Sequence, residues 1–152
     1  MVVGAIVITA VACSEGDAGS SARDALHMQY VVKTADCGVS DAVEDPDAPG
    51  HCIILGDALF DPSDFTNPVV KHDAALGTGV GITLTSRARD IFARNLETIA
   101  PNAQTDTGAR LTFAFDGTPL RWTLLPGPDA NLFVVTPTNT IAERIAASLR
   151  RP

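Results

Sequence analysis

Residues 110–124 read RLTFAFDGTPLRWTL. Leu111, Phe113 and Phe115 alternate with Thr112 and Ala114, the period-two pattern of a strand with one buried face. Asp116-Gly117 follows, a dipeptide that marks a tight hairpin turn. Beyond it Leu120, Trp122 and Leu124 alternate again, which predicts an antiparallel partner strand. A hairpin with one apolar face must bury that face, so the flanking segments must supply its cover.

Downstream, Pro126-Gly127-Pro128-Asp129 predicts a turn and Leu132 to Val135 a further strand. Thr140-Ile141-Ala142-Glu143 has the form of a capping box opening a helix, with Ile141, Ile145 and Leu149 as its apolar stripe. Arg150 and Arg151 suit the negative end of that helix. Upstream, Ser86 is placed to cap a helix whose Ala88, Ile91, Phe92, Leu96 and Ile99 share a face, and Pro101 ends it. Arg87, Arg89 and Arg94 lie off that face and read as solvated. A loop with Asn102, Gln104 and Gly108 leads back to the hairpin.

Further upstream, Val80, Ile82 and Leu84 alternate with Gly79, Gly81 and Thr83 as a strand. Residues 57–76 read as irregular, with Asp61-Pro62-Ser63-Asp64 opening one helical turn. Cys52-Ile53-Ile54-Leu55 predicts a buried strand, and Leu26, Met28, Tyr30 and Val32 the inward positions of another, with His27 on its polar side. The expected order is β-β-β-α-β-β-β-α: an α+β domain with a single, mostly antiparallel sheet and two helices packed on one face. Phe113, Phe115, Ile145 and Leu149 should point inward.

The formal charge of −7 is uneven. Residues 1–85 hold 12 acids and 3 bases, residues 86–152 hold 6 acids and 8 bases, and no Lys or Arg stands between Lys33 and Lys71. Such a surface repels phosphate backbones, which excludes nucleic acid as a partner. The acidic run from Asp36 to Asp64 reads as a solvated loop.

Residues 1–12, MVVGAIVITAVA, are uncharged and apolar, too short to span a bilayer, and match the apolar region of a secretion signal. Ala10-Val11-Ala12-Cys13 resembles a lipobox, after which the Cys carries lipid, although Ala10 stands where Leu is usual and no Lys or Arg precedes the run. Ser14 to Asp24, SEGDAGSSARD, has almost no large apolar group and predicts a flexible tether. The expected organisation is a lipoprotein signal at 1–12, a tether at 13–25 anchored through Cys13, and a folded domain at 26–152. That places the domain on the extracytoplasmic face of the cell membrane. The remaining thiols, Cys37 and Cys52, have 14 residues between them, a Pro- and Gly-bearing segment, and should form a disulfide in an oxidising compartment.

Ile82-Thr83-Leu84-Thr85, then Phe92 and Leu96 on a helix, then the run Arg110 to Leu120 resemble the head subdomain of the first periplasmic domain of SecD and fused SecDF proteins. Ile54-Leu55-Gly56-Asp57-Ala58, Asp64-Phe65, Leu132 to Val135 and the helix bearing Thr140, Ala142, Ile145, Ala146 and Leu149 extend the likeness over residues 26–150. Pro126-Gly127-Pro128 replaces the family's Gly-Gly turn, and neither the base subdomain nor the transmembrane helices are present in the sequence. The resemblance implies an α+β module exposed outside the membrane, as in freestanding lipoproteins of high-GC Gram-positive bacteria. In the family the head contacts emerging preproteins. It does not carry over export-motor activity.

His27, His51 and His72 sit in three early segments with no catalytic motif around them. Gly77-Thr78-Gly79-Val80-Gly81 is phosphate-loop-like in composition only, since it leads into a strand and presents no helix N-terminus. The chain therefore reads as a non-catalytic binding or accessory module for secreted or cell-envelope proteins, with no cofactor and no metal. The alternative is a small hydrolase or metal-assisted enzyme, which requires His51, Asp57, His72 and Asp73 to converge.

Overall fold

A computed structural model of the protein describes residues 25–99, 110–127 and 131–150. Cys13 and the segments 1–12 and 14–24, the loop with Pro101, Asn102, Gln104 and Gly108, and the Pro128-Asp129 end of the predicted turn lie outside the described residues. So do the side chains of Leu96 and Ile99, and Arg151.

The elements run β1 (Leu26–Ala35), β2 (Ala42–Glu44), β3 (Cys52–Phe60), β4 (Phe65–Asp73), β5 (Gly77–Leu84), α1 (Ser86–Ile99), β6 (Arg110–Phe115), β7 (Thr118–Leu120), β8 (Trp122–Leu124), β9 (Asn131–Val135) and α2 (Asn139–Arg150). The fold is α+β with antiparallel pairing throughout. The described residues form two sheets where the sequence predicts one: β2-β3-β1-β6-β7 and β4-β5-β9-β8. The hairpin of residues 110–124 explains the division. Asp116 (φ 53°) and Gly117 (φ 73°) make its turn, both in the left-handed region that this dipeptide tolerates. Leu120 then pairs with Phe113 of β6, whereas Trp122 pairs with Val134 of β9. The backbone carbonyl of Arg121 already accepts from the Val135 amide at 2.8 Å. One predicted strand is thus two short ones that change sheet at Arg121.

The segment read as irregular, 57–76, also contains strand. Its Asp61-Pro62 signal does form a turn: Pro62–Asp64 is a single 3-10 turn closed by a capping box between Asp61 and Asp64. Residues on both sides of it are extended, as the end of β3 and as β4. Pro68, positive-φ Asn67 (50°) and a register shift between Thr66 and Val69 disguise β4 in the sequence. A similar irregularity affects β1, which shifts register against β3 between Met28 and Lys33, and Val32 ends up 61% exposed rather than inward.

The inner faces of both sheets meet in one core. Met28 opposes Phe113 and Leu26 opposes Phe115 in the first sheet, while Val80 opposes Val134 and Ile82 opposes Leu132 in the second. All eight are buried in that core, together with Ala88 and Phe92 of α1 and Ala142, Ile145 and Ala146 of α2. Leu149 packs at its margin. Trp122 ties the parts together: its ring stands edge-on to Phe113 and to Phe92, at centroid distances of 6.0 and 6.1 Å. Its Nε1–H donates to the Leu111 carbonyl at 3.0 Å, which links β8 of the second sheet to β6 of the first.

Both helices start one or two residues earlier than their sequence signals. Thr85 Oγ1, and not Ser86, accepts the Ala88 amide, and Thr138 Oγ1, and not Thr140, accepts that of Ile141.

Phe113 contacts Phe65 and Trp122, and its side chain has no exposed surface. Phe113→Ala should therefore cost about 3–5 kcal/mol, measured by denaturant unfolding. Trp122→Phe keeps the apolar ring and loses the bond to Leu111, so it should cost only ~1–2 kcal/mol. An unchanged melting temperature in Phe113→Ala would contradict the shared core.

Candidate functional site

The charged residues of the first half do not simply face water. The connection between β2 and β3 is a self-bonded turn: the Asp45 amide donates to His51 O, the Ala48 amide to Asp45 O and the His51 amide to Ala48 O. The Asp47 amide donates to Asp45 Oδ1 at 2.9 Å. This turn aims Asp45, 4% exposed, at Arg110, whose two terminal nitrogens donate to its two carboxylate oxygens at 2.6 Å each. Arg110 also donates to Asp47, and the Arg121 Nε lies 3.5 Å from Asp47 Oδ1. A planar guanidinium matched to a carboxylate is the geometry in which such pairs are strongest. The hydrogen bonds from Arg110 hold the Asp45 carboxyl below the ordinary carboxylate range, and Asp45 in turn reinforces the protonated state of Arg110.

The predicted disulfide is present between Cys37 and Cys52. It closes the segment from the end of β1 to the start of β3, while the ion pairs fasten the same segment to β6. As a result β2, one edge of the first sheet, comes to lie near β7, the other edge, and the sheet curls.

Where the acidic turn meets the strand change, an open groove of about 290 Å³ forms. Pro46 lies on one side, Pro119 and Leu120 at the end of β7, and Val135 and Pro137 at the exit from β9, with Arg121 at the rim. The surface is chiefly apolar, and of the Arg110–Asp47–Arg121 cluster it is Arg121 that lines it.

The residues named for the enzyme reading are spread over both sheets. His51 is exposed in the β2–β3 turn and Asp57 is exposed on β3. His72 hydrogen-bonds Thr78 across the β4–β5 hairpin, and Asp73 Oδ1 accepts the amides of Ala75 and Leu76 in its turn. Those bonds depress the Asp73 pKa and leave the carboxylate occupied as a turn former. Among the described residues no three His, Cys, Asp or Glu side chains gather as a metal site. Nor is any described helix long and apolar enough to cross a membrane. His27 is half-buried, with its Nδ1 unpartnered, rather than solvated. Arg87 reaches Asp64 at 3.4 Å. Asp45, Asp47, Arg110 and Arg121 carried no local sequence signal. The opposite charge bias of the two halves was their only trace.

The fold and this junction define a disulfide-closed α+β domain with an apolar groove at the meeting of two sheets. Comparison with protein-family models, curated proteins and solved structures finds no match for the chain.

Asp45 has a depressed native pKa, so its stabilising contribution is complete above the ordinary Asp value of 3.8 and fades as pH falls through the native value. Asp45→Asn should cost on the order of 2–3 kcal/mol at neutral pH, because Arg110 then loses its main partner. The variant should also unfold with a shallower acid dependence in chemical denaturation series. Reduction of the disulfide, which spans 15 positions, should cost about 3 kcal/mol in the chain-entropy account.

Proposed function

We propose that the protein is an exported lipoprotein, held on the outer face of the cell membrane by lipid on Cys13, whose domain binds secreted or envelope polypeptides without catalysis. The observation that carries this reading is the Cys37–Cys52 disulfide, because such bonds persist in oxidising, extracytoplasmic compartments. An apolar segment ending at Cys13 and a polar tether after it supply the anchor. The likeness of residues 26–150 to the SecD head points to the same class of partner, an extended polypeptide outside the membrane. The binding surface in this reading is the groove between Pro119, Leu120, Val135 and Pro137. A shallow apolar strip edged by charge suits a polypeptide segment better than a small polar substrate.

Labelled fatty acid fed to a bacterial host should enter the wild-type protein and not Cys13→Ala, and the variant should leave the membrane fraction. In the same cells, photo-crosslinking side chains at Thr118 and Pro137 should capture exported proteins, while one at Arg94 on α1 should not. Equal labelling of wild type and Cys13→Ala would refute the anchor. Equal capture from Arg94 would refute the groove.

A further inference from the structure

The second sheet has an outer face, opposite the shared core, because Val80 and Ile82 point inward and Gly79, Gly81 and Thr83 alternate with them. A groove of about 220 Å³ runs along this face, walled by Asn67, Val69 and Lys71 of β4, Asn131 of β9 and Leu125. Its floor is Gly81.

The two glycines of β5 differ in what requires them. A Cβ on Gly79 would sit 2.3 Å from the Val134 carbonyl and 2.7 Å from the Phe133 ring, so packing excludes any side chain there. The nearest atoms to a Cβ on Gly81 would be those at the far end of Lys71, from 3.4 Å, and Gly81 is not among the positive-φ residues. Neither backbone conformation nor rigid packing demands glycine at 81. A glycine inside a strand often marks a bulge, a bend or a close approach by another group. Here it lets the Lys71 stem lie across the floor and hold its ammonium over the groove.

The surrounding chemistry selects the occupant. Lys71 takes part in none of the ion pairs among the described residues. Asn131 accepts the Thr83 hydroxyl on Oδ1 at 2.8 Å, which fixes the carboxamide and leaves its N–H2 as a donor. Val69, 48% exposed, and Leu125 supply apolar surface beside these donors. Asn67 reaches the rim because the positive-φ bulge turns it out of register. We propose that this groove is a binding site for a small aliphatic carboxylate, the chemistry shared by a free acylated amino acid and a peptide C-terminus. Lys71 pairs with the carboxylate, Asn131 donates to it, and Val69 and Leu125 cover the aliphatic side chain. One ammonium matches a monoanion, and the volume accommodates a single residue. The site shares no lining residue with the junction groove.

The test is an NMR titration of the isotope-labelled full chain in detergent with three probes: N-acetyl-alanine, N-acetyl-alanyl-alanine and the C-terminal amide of the latter. Both acids should shift the backbone signals of Lys71, Gly81 and Asn131 saturably, and the amide should not. Lys71→Ala should weaken binding about tenfold or more, the loss of one charge-assisted hydrogen bond. Lys71→Arg should retain most of it. Gly81→Val, which displaces the Lys71 stem, should match Lys71→Ala. Tighter binding of the dipeptide acid than of N-acetyl-alanine assigns the site to peptide termini, and equal binding assigns it to free acids. Equal response to acid and amide, no response to either acid, or unchanged affinity in Lys71→Ala would overturn the proposal. Fatty-acid labelling of Cys13 reads out the anchor independently of every one of these results.

Discussion

The strand that leaves β6 after the Asp116-Gly117 turn hydrogen-bonds to one sheet as far as Leu120 and to the other from Trp122 onward. That transfer constrains the rest of the domain. It brings the inner faces of the two sheets together, so Phe113, Val80 and Val134 share one core. It needs a residue at the crossing whose side chain can stay in solvent, and Arg121 is exposed. It also needs a side chain able to bridge both layers. Trp122 does so with one polar atom and one large ring: its N–H reaches the first sheet at Leu111, and its ring reaches Phe113 and the helix residue Phe92. A smaller apolar residue would fill part of the volume and lose the directional link.

Much of this was legible in the sequence, and the unread remainder has identifiable causes. The alternation around Phe113 and Phe115, the Asp-Gly turn, the apolar stripe of Ile141, Ile145 and Leu149, and the cysteine pair depend on neighbours a few residues away or on a compartment. Those are local facts. The division into two sheets is not local. Nothing in Leu120-Arg121-Trp122 distinguishes a continuous strand from one that changes partner, since alternation is preserved through the break. β4 was hidden because Asn67 and Pro68 interrupt the pattern that announces a strand. Val32 failed as a core residue for the same reason, since a bulge reverses the facing of the residues beyond it.

The junction groove depends on a different kind of contact. Asp45 and Arg110 are 65 residues apart, and each looks ordinary in its own segment. Once folded, the carboxylate is almost fully buried and both its oxygens are engaged. Such a pair contributes little net stability over an apolar substitute, but its geometry fixes one arrangement of the chain. Here that arrangement is β2 and its turn laid toward β7. The disulfide restrains the same segment from its other side, so the wall carrying Pro46 is held by a covalent and an ionic fastening together. In the binding function proposed above, such prior ordering lowers the entropy lost when a partner arrives.

The charge asymmetry between the halves then acquires a structural meaning. Acids of the first half meet arginines of the second at Asp45 with Arg110, at Asp47 with Arg121 and at Asp64 with Arg87. Within the second half, Asp116 faces Arg144, whose guanidinium also lies over the Phe115 ring at 5.3 Å. Three of the twelve acids in the first half are thus matched by cations from the basic half, while the net charge stays at −7. Lys71 belongs to the acidic half and departs from that pattern. It is a strongly hydrated point charge on a flexible stem, laid over a glycine that the fold itself does not require. Arginine serves the fixed pairs of the junction because its planar fork locks geometry. A lysine ammonium on its flexible stem imposes no single orientation on a partner. At the junction, then, arginine holds the architecture, whereas Lys71 stands where the surface is left open.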